Sequence, residues 1–150
     1  MSVSASTFIQ DSVIFLRDLL LNGVTDPLGS RSGNFKFVMT SYPERSAKYP
    51  LITVKNSNIK ADRSGMRSED MNAALGFEIR IWARNVKERD SLTQAVIDKL
   101  RNSQTDATTG SIDFNLFGLS IDSAVDIDEE GEHGIHSKVL EITYYAYLDS

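Results

Sequence analysis

The stretch from Ala74 to Arg101 constrains this chain more than any other. Ala74-Leu-Gly-Phe-Glu-Ile-Arg-Ile-Trp-Ala-Arg84 alternates strictly, with Leu75, Phe77, Ile79, Ile81 and Ala83 on one side. Glu78, Arg80, Trp82 and Arg84 fall on the other. A period of two predicts a long strand with one buried face. Asn85 with Glu88 three residues on has the form of an N-cap and capping box. A helix is therefore expected from about Val86 to Arg101, burying Leu92, Val96 and Leu100, with Ala95 and Ile97 at the margins. The other strands must find places around this strand–helix unit.

At 150 residues the chain fits one domain, long enough to bury about 70% of its unfolded surface without cross-links. It contains no cysteine, which excludes disulfides and thiolate metal sites. The segment Met1-Ser-Val-Ser-Ala-Ser has no basic region of a secretory signal, and no apolar run approaches a membrane span. Synthesis and use in a cytoplasm are expected. The net charge of −5 is unevenly spread, because residues 101–150 carry Arg101 and Lys138 against ten carboxylates. Residues 1–100 carry 14 basic and 11 acidic side chains. The missing basic cluster disfavours direct nucleic-acid binding. A mildly basic body joined to an acidic last third suits head-to-tail association of copies.

Thr7 with Gln10 predicts a first helix to about Leu21, with Ile9, Val13, Leu16 and Leu20 on one face. Phe8, Phe15 and Leu19 widen that face, either wedging the helix among sheet and loops or offering a flank to another subunit. Asn22-Gly23 should stop it. Residues 24–34 are turn formers. Phe35, Phe37 and Met39 alternate with Lys36, Val38 and Thr40 as a first strand. Ser41 to Pro50, with two Tyr-Pro pairs, is a stiff connector into the strand Leu51–Lys55. Asn56 to Ala73 lacks apolar periodicity and is expected as a long inter-strand loop. Ile59, Met66 and Met71 are set in it among Lys60, Arg63 and Arg67, as in an arm laid on a neighbour. After a polar turn at 102–110, Ile112, Phe114 and Leu116 give way to Leu119, Ile121, Val125 and Ile127. That change of parity predicts a bulge at Gly118. The final strand, from about Ile135 to Leu148, is two-sided enough to lie centrally against Ala74–Arg84. The fold class is α+β: a mainly antiparallel sheet of about four to five strands, with two main helices on one face and the long loop.

Chemistry is sparse. His133 and His136 sit i, i+3, which in a strand points them to opposite faces, so loop histidines are the simpler reading than a metal pair. Asp126, Asp128, Glu129 and Glu130 lack the glycine and terminal Glu of an EF-hand; a solvated or partner-facing acidic hairpin fits them better. There is no phosphate-cradling glycine loop, nucleophile elbow or dinucleotide fingerprint. The residues supply no support for an enzyme or a cofactor.

Several phrases nevertheless resemble one family. They are the leucine-rich first helix ending in Asn-Gly, Tyr49-Pro-Leu-Ile-Thr-Val54 and Ile79-Arg-Ile-Trp-Ala-Arg-Asn-Val-Lys-Glu-Arg-Asp-Ser-Leu92, with Ile142-Thr-Tyr-Tyr-Ala-Tyr147 late in the chain. In this order they resemble the tail terminator (tail-completion) proteins of long-tailed bacteriophages and related archaeal tailed viruses, over most of the chain. The resemblance implies a non-enzymatic virion protein without cofactor or metal, assembled in the host cytoplasm into the tail and neck. It would form a hexameric ring that caps the tail tube, ends its polymerisation and joins the tail to a head-completion or neck protein. The tail sheath is a further partner, DNA passes only as cargo, and no membrane is involved. Under this reading Ile59, Lys60, Arg63, Met66, Arg67, Glu69, Asp70 and Met71 are expected at a subunit or partner interface. Asp122, Asp126, Asp128, Glu129, Glu130 and Glu132 are expected to face the lumen or the adjoining ring, where acidic walls repel DNA. The alternatives are a head-closure or adaptor protein of the neck, or a small α+β enzyme or ligand-binding domain.

Overall fold

The computed structural model describes residues 8–27, 37–40, 49–63, 71–103, 116–128 and 136–148. For Asp62, Arg63, Met71, Phe117, Asp128, Tyr147 and Leu148 the description is of the backbone alone. The elements are α1 (Phe8–Gly23), β1 (Val38–Met39), β2 (Leu51–Arg63), β3 (Met71–Ala83), α2 (Val86–Asn102), β4 (Leu116–Asp128) and β5 (His136–Leu148). The strands form one sheet in the order β1-β2-β3-β5-β4, antiparallel throughout except for β1 beside β2. The α+β architecture read from the sequence is the one observed.

β3 and β5 form the spine. They pair without interruption from Met71↔Leu148 to Ala83↔His136, so the last strand does lie centrally. Leu75, Phe77, Ile79 and Ile81 from β3 meet Leu140, Ile142 and Tyr144 from β5 on the side covered by the helices, all at most 1% exposed. Phe77 and Tyr144 pack edge to face, ring centroids 6.4 Å apart. Burial of the Tyr144 hydroxyl, which has no hydrogen-bond partner among the described residues, pushes its pKa well above the usual tyrosine value.

α2 begins as the sequence predicts. Asn85, in extended backbone, accepts a hydrogen bond at Oδ1 from the Glu88 amide at 2.8 Å. The Glu88 carboxylate reaches back to the Arg84 amide and guanidinium rather than to Asn85 itself. Leu92, Val96 and Leu100 are buried as expected, with Ala95 and Ile97 packed at the core margin. The stripe is wider than leucine and valine, because Arg89 and Thr93 are each only 5% exposed.

On α1 the buried stripe is rotated from the expected one. Ser12, Phe15, Leu16, Leu19 and Leu20 are buried, while Ile9 is exposed and Val13 only partly covered. The widening residues Phe15 and Leu19 are thus used inside the subunit. Ser12 is tolerated there because its hydroxyl donates to the Phe8 carbonyl at 2.7 Å. Thr7, the expected cap, lies outside the described residues. Of the expected strand over 35–40, Val38–Met39 is seen as β1 and Phe35 and Lys36 lie outside the described residues; Phe37 and Val38 are both buried rather than alternate residues.

The expected long loop from Asn56 to Ala73 is instead mostly a β-hairpin. β2 continues to Arg63 and β3 starts at Met71, paired across Ile59↔Leu75, Ala61↔Ala73 and Arg63↔Met71. The segment lacks an apolar signal because, among its described residues, only Ile59, Ala61 and Ala73 turn towards the core; backbone bonds between β2 and β3 hold the polar remainder. A register shift between Asn56 and Asn58 marks a bulge there. The Asn58 side chain lies over Gly76, where any Cβ would collide with it, and the Asn56 amide donates to the Gly76 carbonyl at 2.9 Å.

The parity change in β4 is a bulge, as predicted. Register shifts between Phe117 and Ser120, and Gly118 has φ of 64°, the left-handed region. A second shift, between Ile121 and Ser123, was not foreseen.

Candidate interaction surface

The side of the sheet away from the helices is not simply solvated. Strand alternation placed Trp82 there, yet it is 7% exposed and its neighbours Leu51 and Ser137 are fully buried. Trp82 Nε1 donates to Thr53 Oγ1 at 3.1 Å, and the Arg80 guanidinium stacks 3.8 Å from the ring centroid. Arg80 also donates to Ser137 Oγ, while Lys55 pairs with Glu78 at 3.3 Å. Thus β3 is covered on both sides at its Ala83 end.

Of the residues expected at an interface, Ile59 packs partly against the core and Lys60 is exposed on the opposite side of β2. Arg63 ends β2 opposite Met71. Met66, Arg67, Glu69 and Asp70 lie outside the described residues. Among the acids, Asp122 occupies the second β4 irregularity, hydrogen-bonded by Ser120 at 2.7 Å and by Thr143. The Thr143 hydroxyl, then that of Ser120, holds its pKa below the usual aspartate value. Asp128 closes β4 opposite His136. Glu129, Glu130, Glu132 and His133 lie outside the described residues. Lys60 and Arg63 sit on one flank of the sheet and Asp122, Asp126 and Asp128 on the other, with β3 and β5 between. One subunit does not bring the two sets together.

Asp126 enters a closed ring of alternating charges that binds the outermost strand to α2. Arg89 Nη2 lies 3.3 Å from Asp126 Oδ2, and Lys138 Nζ lies 3.2 Å from Asp126 Oδ1. Lys138 Nζ is also 3.2 Å from Asp90 Oδ1, which Arg89 Nε meets at 3.2 Å. Burial opposes the charge on Lys138, but hydrogen bonds to Asp126 and Asp90 outweigh it and raise its pKa. The Lys138 and Arg89 hydrogen bonds hold Asp90 low. Asp126 is therefore answered within its own subunit, which lessens its charge towards any partner. Sequence reasoning missed Arg89, although its spacing from Leu92 and Val96 put it on the buried stripe of α2.

Among the described residues no three His, Cys, Asp or Glu side chains converge on a metal-holding position. No helix is long and apolar enough to cross a membrane, among the same residues. What the surface does offer is apolar exposure on the outermost strand pair: Ile121, Val125 and Ile127 from β4, and Tyr145 from β5. Val125 and Ile127, two apart in β4 and so on one side of the sheet, give this edge an apolar stretch suited to binding another protein.

No family model and no curated protein matches the chain. Among solved structures, a chain from the virion of native gene transfer agent (GTA) particle is similar, with a TM-score of 0.51 and 13% identity. The likeness covers 74% of this chain and 78% of that one, so the two share a fold.

Proposed function

We propose that this chain is a structural virion protein of the tail terminator kind. Several copies close into a hexameric ring that caps the tail tube and stops its growth. The ring joins the tail to the head-completion or neck protein and leaves a lumen for DNA. The observation that carries this reading is the shared fold with a chain of a gene transfer agent virion over most of both chains. The sequence phrases that resemble tail terminators point the same way. The opposed basic and acidic flanks of the sheet support assembly by unlike faces, which is what a closed ring requires. A non-enzymatic role is part of the proposal. The arm residues Met66, Arg67, Glu69 and Asp70, and the acids Glu129, Glu130 and Glu132, are proposed to meet neighbouring subunits or line the passage.

Electron microscopy of tail-tube protein polymerising with and without this chain tests the proposal. Rings in isolation or on tube ends, with tubes of limited length, are expected. Tubes that grow regardless, with nothing bound at their ends, overturn it. The same likeness to a virion chain serves a second reading, another neck component such as a head-closure or adaptor protein. Binding to the portal side rather than to tail tube would select that reading.

A further inference from the structure

The two lateral edges of the sheet are opposite in charge and alike in form. On one flank β1 pairs with Ile52 and Thr53 of β2. Beyond the bulge, from Asn58 to Arg63, the outward backbone groups of β2 meet no strand among the described residues. On the other flank β4 is the last strand, and from Ser123 to Asp128 it runs in unbroken register against Glu141 to His136. Proteins usually blunt such edges with bulges, lysines or prolines. Here both irregularities of β4 lie before Ser123, and the regular part exposes Val125 at 53% and Ile127 at 39%. Ser123–Asp128 contains Asp126 and Asp128 and no base, whereas Asn58–Arg63 contains Lys60 and Arg63 against Asp62.

We propose that these edges join successive copies of the chain. Ser123–Asp128 of one subunit pairs antiparallel with Asn58–Arg63 of the next, so that the sheets run on around the assembly. This rests on the ring reading above and names its joint. The direction follows from the topology. β2 and β5 are both antiparallel to β3, and β4 is antiparallel to β5. Rotation about an axis along the strands preserves directions, so β4 meets the neighbour's β2 antiparallel. The joint spans about 20 Å of each edge at about 3.3 Å per residue.

The two sides of the sheet also agree across it. Ile59 and Ala61 face the core, on the helix side. Asp126 is on that side, since it meets Arg89 of α2. Lys60, Val125 and Ile127 all belong to the opposite side. A continuous sheet therefore sets the Lys60 stem over the exposed Val125 and Ile127, with its ammonium in water. Pairing of two β4 edges would instead oppose like charges. A second copy docks by unlike edges, and such contacts close into rings.

The absence of native cysteine makes the test direct. The double variants Lys60→Cys with Val125→Cys, and Lys60→Cys with Ile127→Cys, are oxidised as full-length protein and run without reductant. A ladder extending beyond dimer in at least one double variant is expected, with no band beyond dimer in the single variants. Val125→Lys, at a half-exposed position, is expected to lower the light-scattering mass at least twofold and leave the melting temperature within about 3 °C. Unaltered oligomer mass in Val125→Lys together with no ladder overturns the joint and leaves the ring standing. A native chain that stays monomeric alone and with tail-tube protein, under glutaraldehyde, overturns the ring and the joint together.

Discussion

β3 and β4 are both thirteen-residue strands, and both show stretches of alternating apolar residues. Their fates differ. β3 has a strand on either side, keeps register with β5 from end to end, and buries Leu75, Phe77, Ile79 and Ile81 completely. Even its opposite face is covered where Trp82 stacks with Arg80. Among the described residues β4 has a strand on one side only, slips register twice, and leaves Ile121, Val125 and Ile127 open. Alternation thus announces a strand, but position in the sheet decides whether its apolar residues are core or contact surface. On an edge strand the same residue types become a surface for another molecule.

The contrast can be broken most directly by truncating one side chain on each strand. Phe77→Ala should cost about 3–5 kcal/mol in urea unfolding, while Val125→Ala should stay within about 0.5 kcal/mol for the monomer. Equal losses would mean that β4 is as much core as β3.

The next effect concerns the clasp that holds β4 to α2. Arg89→Met removes the buried guanidinium from the charge ring and should destabilise by about 1–3 kcal/mol. The partners are half exposed, which keeps the figure below that of a fully buried ion pair. In a double-mutant cycle with Asp126→Asn, strong coupling is expected, and additive losses would show that the ring contributes nothing.

Gly118→Ala should cost about 1–2 kcal/mol, because the left-handed backbone disfavours a Cβ and Tyr145 Cδ2 would lie 3.1 Å from it. Gain of stability would show that the bulge relaxes to regular pairing.

The smallest effect is a shift in acid sensitivity. The folded pKa of Asp122 lies below the ordinary aspartate value, so its contribution is present above that ordinary value and lost as pH falls through the folded pKa. Thr143→Val removes the first cause of the shift. NMR titration should then show Asp122 moving up towards the ordinary value, with less stability lost below about pH 4. An unmoved titration would assign the shift to other groups.

Local patterns in the sequence were sufficient for the strand–helix unit, the Asn85 cap, the Gly118 bulge and the central place of the last strand. Each depends on neighbours a few residues apart, or on a face apolar enough to require burial on both sides. The β2–β3 hairpin was not legible, since Asn56 to Arg63 is held by backbone bonds to β3, and backbone bonds leave no mark on side-chain pattern. Arg89 was hidden for a related reason. A charge reads as surface until the acids of β4 and the lysine of β5 are seen to converge on it.

By itself, then, the sequence determined both helices, the β3 and β5 strands and the division of charge along the chain, because periodicity and capping act through near neighbours. The tertiary structure alone decided which strands became edges and placed the basic and acidic residues on opposite flanks of one sheet. Strand order arises from pairing between distant segments, and only that order separates the residues that bury from those left to meet another molecule.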